Sequence, residues 1–379
     1  MAEPGWALGP FSRIPGSILG ADASLHFKCP VSGRSVAWAE KDVFNPAAIV
    51  RDGRVHLLVR AEDRVGRYSG TSRIGLAVSD DGVHFALEPE PVIHPDDDAW
   101  QAWEWPGGCE DPRVVERPEG GFVCLYTAFD GKNPTLFVAT SDDLREWVKH
   151  GPAFAGTPLV KAASKSGSVV TELVAGRPVA SLLDGRFWMY WGEGHCFAAT
   201  SDDLIRWSPV DYDAAGDRWL SFDRRSGSWN TQSIRGARYP RPLLSPRAHR
   251  FDSLLVEPGP PAIVTDDGIL LVYNGANHPK RGDPATPAYA YQPGQALFDR
   301  LDPSACIARC TEPSVPPASG AEQAGQVDHV SFGEGLVFHQ GQVLLYLGSA
   351  DSRIGLATCA LPPWAQTRVE PAGTVREQR

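Results

Sequence analysis

The sequence predicts an all-β fold, a five-bladed β-propeller, on two repeated patterns and the period that separates their copies. The first pattern is an apolar strand, a tight turn ending in glycine, and a second strand rich in aliphatic and aromatic residues. Its turn glycines are Gly53, Gly120, Gly185, Gly268 and Gly341. Three of these turns read Asp-Gly (Asp52-Gly53, Asp184-Gly185, Asp267-Gly268), the dipeptide best suited to the positive φ angles of a two-residue hairpin. The second pattern is a strand running into a Ser-Asp-Asp turn, seen at Ile74 to Gly82, Phe137 to Leu144 and Phe197 to Leu204. In addition, Ser72-Arg73-Ile74-Gly75-Leu76-Ala77 returns as Ser352-Arg353-Ile354-Gly355-Leu356-Ala357, so the last unit echoes the first. The turn glycines lie 65 to 83 residues apart. That is too long for a β-helix coil, and five copies do not suit a two-sheet sandwich; blades that bury their faces against one another do.

The composition agrees. A chain of 379 residues that is 42% hydrophobic can bury a large core, and 38 Gly, 33 Pro and 12 Trp favour many turns over long helices. The net charge of -10 argues against nucleic acid or an anionic membrane surface as a partner and suits a neutral ligand. Seven scattered cysteines without a Cys-x-x-Cys pair read as reduced thiols, which, with no signal peptide recognised at Met1 to Trp6, points to the cytoplasm. No apolar run approaches the roughly 18 residues that span a bilayer. Neither a metal nor a cofactor is expected, since the carboxylates do not follow a calcium-loop spacing.

In chain order, residues 1–40 show no clear periodicity and are expected to form an arm packed on the body, with 41–379 forming a single propeller. Arg218 to Arg250 is irregular, basic and Pro-rich, and reads as a long loop on one face, near the site or at a subunit contact. The oligomeric state is left open.

The polar groups fall at repeat-equivalent places. The first strand of four hairpins is preceded by a polar residue and then a conformationally restricted one: Asn45-Pro46, Asp111-Pro112, Glu257-Pro258 and Glu334-Gly335. The third unit offers Lys165-Ser166-Gly167-Ser168 instead. The second strands end at Arg60-Ala61-Glu62-Asp63, Trp191-Gly192-Glu193-Gly194-His195, Tyr273-Asn274 and Ser349-Ala350-Asp351. Carboxylates gathered around one axis raise each other's pKa, a costly arrangement without a ligand or reaction to use it. The densest stretch, Glu104 to Arg113, would as ordinary loop chemistry be only solvated charge at a turn. Set in the ring it reads as a site, with Trp103 or Trp105 walling a pocket. Asp, Glu, Arg, Asn and His beside Trp and Tyr suit sugar recognition, and two carboxyls across a pocket can split a glycosidic bond. For most of the tryptophans, packing between blades is the simpler role.

Asp42-Val43-Phe44-Asn45-Pro46-Ala47-Ala48, Arg60-Ala61-Glu62-Asp63, Gly107-Gly108-Cys109-Glu110-Asp111-Pro112-Arg113, Val256-Glu257-Pro258-Gly259-Pro260-Pro261 and Gly348-Ser349-Ala350-Asp351 together resemble glycoside hydrolase family 130 over about residues 40 to 360. The resemblance implies a five-bladed propeller acting on β-mannosides, either as a phosphate-dependent phosphorylase or as a hydrolase of β-1,2 linkages. It implies Asp111 as general acid, acting through a hydroxyl of the bound mannose, and Asn45, Arg60, Asp63, Arg113 and Asp351 as the residues that hold that mannose. His195, Asp252 and Tyr273 complete the candidate sugar contacts.

The phosphorylases of the family carry cations for phosphate, including a Lys-Asp pair and a later His-Arg pair. Here Lys165 is followed by Ser-Gly-Ser, and the second region reads Trp191-Gly192-Glu193-Gly194-His195. A carboxylate where a cation should sit repels the dianion. The resemblance therefore favours an inverting, exo-acting β-1,2-mannosidase in which Glu193 and Glu257 activate water, the two being unranked. The alternatives are a mannoside phosphorylase that holds phosphate with Lys165, His195 and arginines of the 218–250 loop, and a non-catalytic mannose-binding propeller.

Overall fold

The computed structural model describes residues 5–64, 70–210, 219–223, 228–232, 241–318 and 320–369. Five antiparallel units account for most of the strands. Blade I comprises Asp42–Arg51, Arg54–Glu62, Ser72–Ser79 and Ala86–Leu87. Blade II comprises Gly108–Glu116, Phe122–Phe129, Pro134–Ser141 and Val148–Pro152. Blade III begins with the first residues of Ser168–Val174 and continues through Arg186–Trp191, Phe197–Ser201 and Ser208–Pro209. Blade IV shares its inner position between Leu255–Pro258 and Ala262–Val264, followed by Ile269–Ala276, Tyr291–Phe298 and Cys306–Arg309. Blade V comprises Ser331–His339, Gln342–Ser349 and Arg353–Ala360, and its outermost strand is Ser12–Arg13 from the start of the chain.

The apolar faces decide how these units are arranged. A sheet hydrophobic on both faces must bury both, and the buried side chains fall into five large clusters, each made chiefly by two blades. Leu58, Leu76 and Ile93 meet Val114, Tyr126 and Phe137 between blades I and II. Val123 and Leu136 meet Met189 and Trp191 between II and III. Tyr190 meets Val256, Leu271 and Phe298 between III and IV. Leu270 and Val272 meet Leu336 and Leu345 between IV and V. The last seam joins Leu57 and Val59 to Val337 and Tyr346, so V closes on I. The fold is the five-bladed β-propeller, and the edge exposed in blade V is covered by Ser12–Arg13, which pairs with Thr358 and Ala357.

Before blade I, Asp22–Lys28 and Ser35–Ala39 form a hairpin whose Trp38 is fully buried in the V–I seam. Gly75 faces that indole so closely that a Cβ there would lie 2.4 Å from the Trp38 ring. Trp219–Asp223 pairs with Ser228–Gln232, so the stretch expected to be irregular contains a hairpin. The surrounding proline and arginine hide its short alternating pattern; residues 211–218, 224–227 and 233–240 lie outside the described residues.

Blade III departs from the pattern in a way that shapes the site. After Ser168 and Val169 pair with Tyr190 and Met189, the strand leaves its blade. Val170 and Thr171 run parallel to Ala262 and Ile263 of blade IV, the chain turns back through Arg177–Ala180, and Val179 pairs with Glu116 of blade II. Arg177 grips both oxygens of Glu116 at 2.7 and 2.8 Å. The returning strand also packs against the inner strands of blades I and V, so this hairpin touches the inner strands of four blades.

Candidate active site

The inner strands deliver polar groups to the axis through irregularities rather than regular pleat. The ladder of blade I slips between Phe44 and Pro46, that of blade II between Glu110 and Arg113, and that of blade V between Gly333 and Gly335. Bulges of this kind re-aim side chains beside active sites. Asn45 (φ 45) and Asp111 (φ 47) both take the left-handed conformation, which Asn and Asp tolerate better than other side-chain-bearing residues. The result is that Asn45 Nδ2 donates to Asp111 Oδ1 at 2.9 Å across the blade I–II seam. The approach of the two blades is tight: a Cβ on Gly108 would lie 2.1 Å from the Ser72 carbonyl oxygen.

A cavity of about 240 Å3 opens over these groups, lined by Asn45, Arg60, Glu110, Asp111, Phe129, Lys165, Tyr291, Val327, Val330, Phe332 and Asp351. Polar residues and an apolar group are thus both present, as a pyranose with hydroxyls and an apolar face requires. The aromatic lining is Phe129, Tyr291 and Phe332. Trp103 and Trp105, expected as walls, do not line it: Trp103 packs on Phe137, with centroids 5.8 Å apart, and Trp105 lies against the V–I core.

Arg60 is the electrostatic centre. Its Nη1 donates to Asp111 Oδ1 at 3.0 Å, and its Nη2 reaches Glu62 Oε1 and Glu110 Oε1 at 2.8 Å each. Lys165 Nζ sits 3.2 Å from Asp111 Oδ2 and 3.1 Å from Glu257 Oε1. Burial pushes the Asp111 carboxyl up, but Lys165, Arg60 and Arg113, with the Asn45 hydrogen bond, more than reverse this and hold it well below the usual carboxylate range. Glu110 moves the opposite way. Burial pushes it up to about 7, with Asp111 and Glu62 adding to the shift and Arg60 and Lys165 offsetting part of it.

Glu257 is fully buried, accepts a hydrogen bond from Ser166 Oγ, and shares Lys165 with Asp111. Glu334 is also fully buried, beside Arg113 at 3.0 Å, and burial drives its carboxyl well above the usual range. Arg113, expected to hold the sugar, is 1% exposed and does not line the cavity. It is a strut: Nη1 donates to the Asp111 carbonyl at 2.9 Å, Nη2 to Pro258 O at 3.0 Å and Nε to Gly259 O at 3.3 Å. Glu193 is partly exposed between two left-handed glycines, and the bridge of Gly194 to Val256 sets it close in the backbone to Glu257.

A scan against family models matches residues 30–362 to the glycoside hydrolase 130 model, described as beta-1,4-mannooligosaccharide phosphorylase. The chain belongs to glycoside hydrolase family 130. Within it, the chain is 30% identical over 328 residues to a 1,2-beta-oligomannan phosphorylase of Thermoanaerobacter sp. strain X514, covering 84% of this chain and 90% of that one. Among solved structures, a glycosyl hydrolase from Bacteroides ovatus is 42% identical with a TM-score of 0.86, covering 95% of this chain and 96% of that one. A second structure is 43% identical with a TM-score of 0.85, covering 96% of this chain and 99% of that one. Its description states that the GH130 family of mannoside phosphorylases contains glycoside hydrolases that target beta-1,2 mannosidic linkages in Candida mannan.

Against the family 130 expectations, Asn45, Arg60, Asp111 and Asp351 converge on one cavity, whereas Asp63, Arg113, Glu193, His195, Asp252, Glu257 and Tyr273 do not line it. Asp63 is 1% exposed and paired with Arg73 at 2.5 Å, because strand alternation turns it away from the Glu62 side. Asp252 is fully buried and held by Arg247 at 2.7 Å, Arg309 at 2.5 Å and the Tyr273 hydroxyl at 2.7 Å, which occupies both Asp252 and Tyr273. The ring of His195 lies 2.8 Å from Ser245 Oγ. The lining residues that sequence reasoning did not select as sugar contacts are Glu110, Phe129, Lys165, Tyr291, Val327, Val330 and Phe332. Lys165 carried a signal, as the charged group in the third unit's counterpart of Asp111.

Proposed function

We propose that this protein is an inverting, exo-acting glycoside hydrolase that cleaves β-1,2-linked mannosides with water. The observation that carries the reading is the position of Lys165, held at 3.2 Å from Asp111 and 3.1 Å from Glu257. The ammonium at the heart of the site is committed to two carboxylates, and a phosphate dianion arriving there would meet both of them. Burial pushes the His195 imidazole down to about 4, so at neutral pH it brings no charge to an anion either. The 42% identity to a solved structure described as a glycosyl hydrolase, and the 43% identity to one whose description speaks of glycoside hydrolases within the family, support the same choice, against the phosphorylase names of the relatives that are 29–30% identical.

In this reading the sugar sits over Asn45, Arg60 and Asp351, with its apolar face toward Phe129, Tyr291 and Phe332. Asp111 governs proton delivery to the leaving oxygen. The hairpin laid over the inner strands suits a pocket that takes a chain end, the exo mode. The base is one of Glu193 and Glu257, neighbours through the Gly194–Val256 bridge; Glu193 is the more exposed and Glu257 holds Lys165. Seven cysteines standing as thiols support a cytoplasmic setting, and among the described residues no helix is long and apolar enough to cross a membrane.

Inversion is read directly by proton NMR during cleavage of β-1,2-mannobiose in phosphate-free buffer. α-Mannose is expected to accumulate before mutarotation brings in the β anomer; β-mannose first, or no cleavage, overturns the proposal.

A further inference from the structure

Four apolar side chains on the blade IV–V side of the cavity differ in origin. Tyr291 and Phe332 stand on strands of blades IV and V, whereas Val327 and Val330 come from the connection between those blades. That connection has little regular structure of its own, a single short helix at Gly320–Gln323, so its shape depends on what it is tied to. Toward the cavity the ties are to the end of blade V and to blade I. Val327 N donates to Ala350 O at 3.3 Å, and Ala350 N donates to Val330 O at 3.0 Å. Gln326 Nε2 donates to Glu62 Oε2 at 3.0 Å and to Asp351 O at 3.1 Å. Gly325 presses on the same turn so closely that a Cβ there would lie 2.2 Å from Ala350 O.

Away from the cavity the same segment is tied to the start of the chain. Glu322 is buried, and its three oxygens are all used: Oε1 meets Arg13 Nε at 2.9 Å, Oε2 accepts from Ala318 N at 2.9 Å, and the carbonyl accepts from Val330 N at 2.9 Å. Arg13 also donates through Nη2 to Pro316 O. One guanidinium thus holds a carboxylate and a carbonyl of the same connection, a task for which its planar fork is suited. Arg13 is itself fixed, since it pairs with Ala357 in the strand that covers the edge of blade V. A carboxylate taken out of water is costly unless a charged group meets it, and Arg13 brings that charge to Glu322.

We propose that Arg13 is a positioning residue for the sugar cavity: through Glu322 it fixes the connection that presents Val327 and Val330, so the arm before blade I belongs to the substrate site as well as to the edge of blade V. The inference rests on the reading of this cavity as mannoside-binding and deepens it. Apolar side chains that cover a sugar do so before and during bond cleavage alike, and such uniform binding appears in KM and not in kcat. Arg13 therefore sets how well the sugar is held and leaves the rate of the bound complex alone.

Hydrogen–deuterium exchange on the full chain tests the tie without turnover. In Arg13→Met, which keeps an apolar stem and removes the guanidinium, peptides covering residues 320–330 are expected to exchange about tenfold faster, and those covering Arg54–Glu62 and Pro134–Ser141 to keep the parent rates. Unmoved exchange at 320–330, or equal acceleration everywhere, overturns the proposal. If the methionine variant does not fold, Glu322→Gln removes the charge from the other end and is expected to give the same local pattern; Arg13→Lys, which keeps a cation, is expected to restore part of the protection. In turnover on β-1,2-mannobiose, Arg13→Met is expected to raise KM by about 3–30-fold with kcat within about twofold of the parent. The double variant with Glu322→Gln is expected to cost no more than the worse single one, because the two residues act through one contact. A fall in kcat at unchanged KM, or additive losses, overturns the positioning role. A parent protein that leaves mannobiose intact rejects the mannosidase reading, and the exchange pattern then decides the tie by itself.

Discussion

Asp111→Asn is expected to reduce kcat/KM on β-1,2-mannobiose by about 10²–10⁴-fold, the range that a positioned acid contributes, with circular dichroism and thermal unfolding still reporting a folded protein. The asparagine keeps the volume and can still accept from Arg60, but it loses the charge that Lys165, Arg60 and Asn45 all address. Lys165 is then left with Glu257 as its carboxylate partner among those it bridges. Removing the Asp111 anion also lowers the pKa of Glu110, because like charge is one of the causes that raises it. Activity within tenfold of the parent contradicts the assignment of Asp111.

Arg60→Ala is expected to destabilise the fold by about 3–5 kcal/mol, the cost of removing one partner from a buried ionic cluster. The side chain of Arg60 is 15% exposed and those of Glu62 and Asp111 are 4% and 3% exposed, so little water replaces the guanidinium. The pH dependence follows from its loss. Without Arg60 the folded-state pKa values of Glu62, Glu110 and Asp111 rise relative to the parent. The folded variant then binds more protons than the parent over the range from mildly acid to neutral, and its deficit in stability grows as pH rises. Urea unfolding at a mildly acid and a mildly alkaline pH checks this: the gap between parent and variant is expected to be wider at the alkaline value. A gap that narrows there would contradict the clamp.

What the sequence made legible follows the range of the interactions. Asp52-Gly53, Asp184-Gly185 and Asp267-Gly268 announce hairpins because turn chemistry is local, and their repetition carried the propeller. The seams between blades, such as Tyr190 against Phe298 with centroids 4.4 Å apart, leave no local mark. The departure of the third unit was visible as Lys165-Ser166-Gly167-Ser168. Its consequence, a strand that leaves its blade to run beside Ala262 and Ile263, depends on pairing across more than one blade. Period-2 alternation separates Glu62, which reaches Arg60, from Asp63, which reaches Arg73. The same rule hid Glu110, whose place beside Asp111 depends on a bulge that alternation does not anticipate. Asp252 and Tyr273 were selected as sugar contacts, but Arg309 comes from a distant segment to join the nearby Arg247 on Asp252 and to reach the Tyr273 hydroxyl.

The choice between water and phosphate turns on what Lys165 leaves available at the centre of the site. The direct measurement is product analysis of β-1,2-mannobiose cleavage by the full chain, run with and without inorganic phosphate and following mannose and mannose 1-phosphate separately. Free mannose as the product in both conditions, at rates that phosphate does not raise, is the result predicted. Mannose 1-phosphate as the main product, with little cleavage when phosphate is left out, would contradict it.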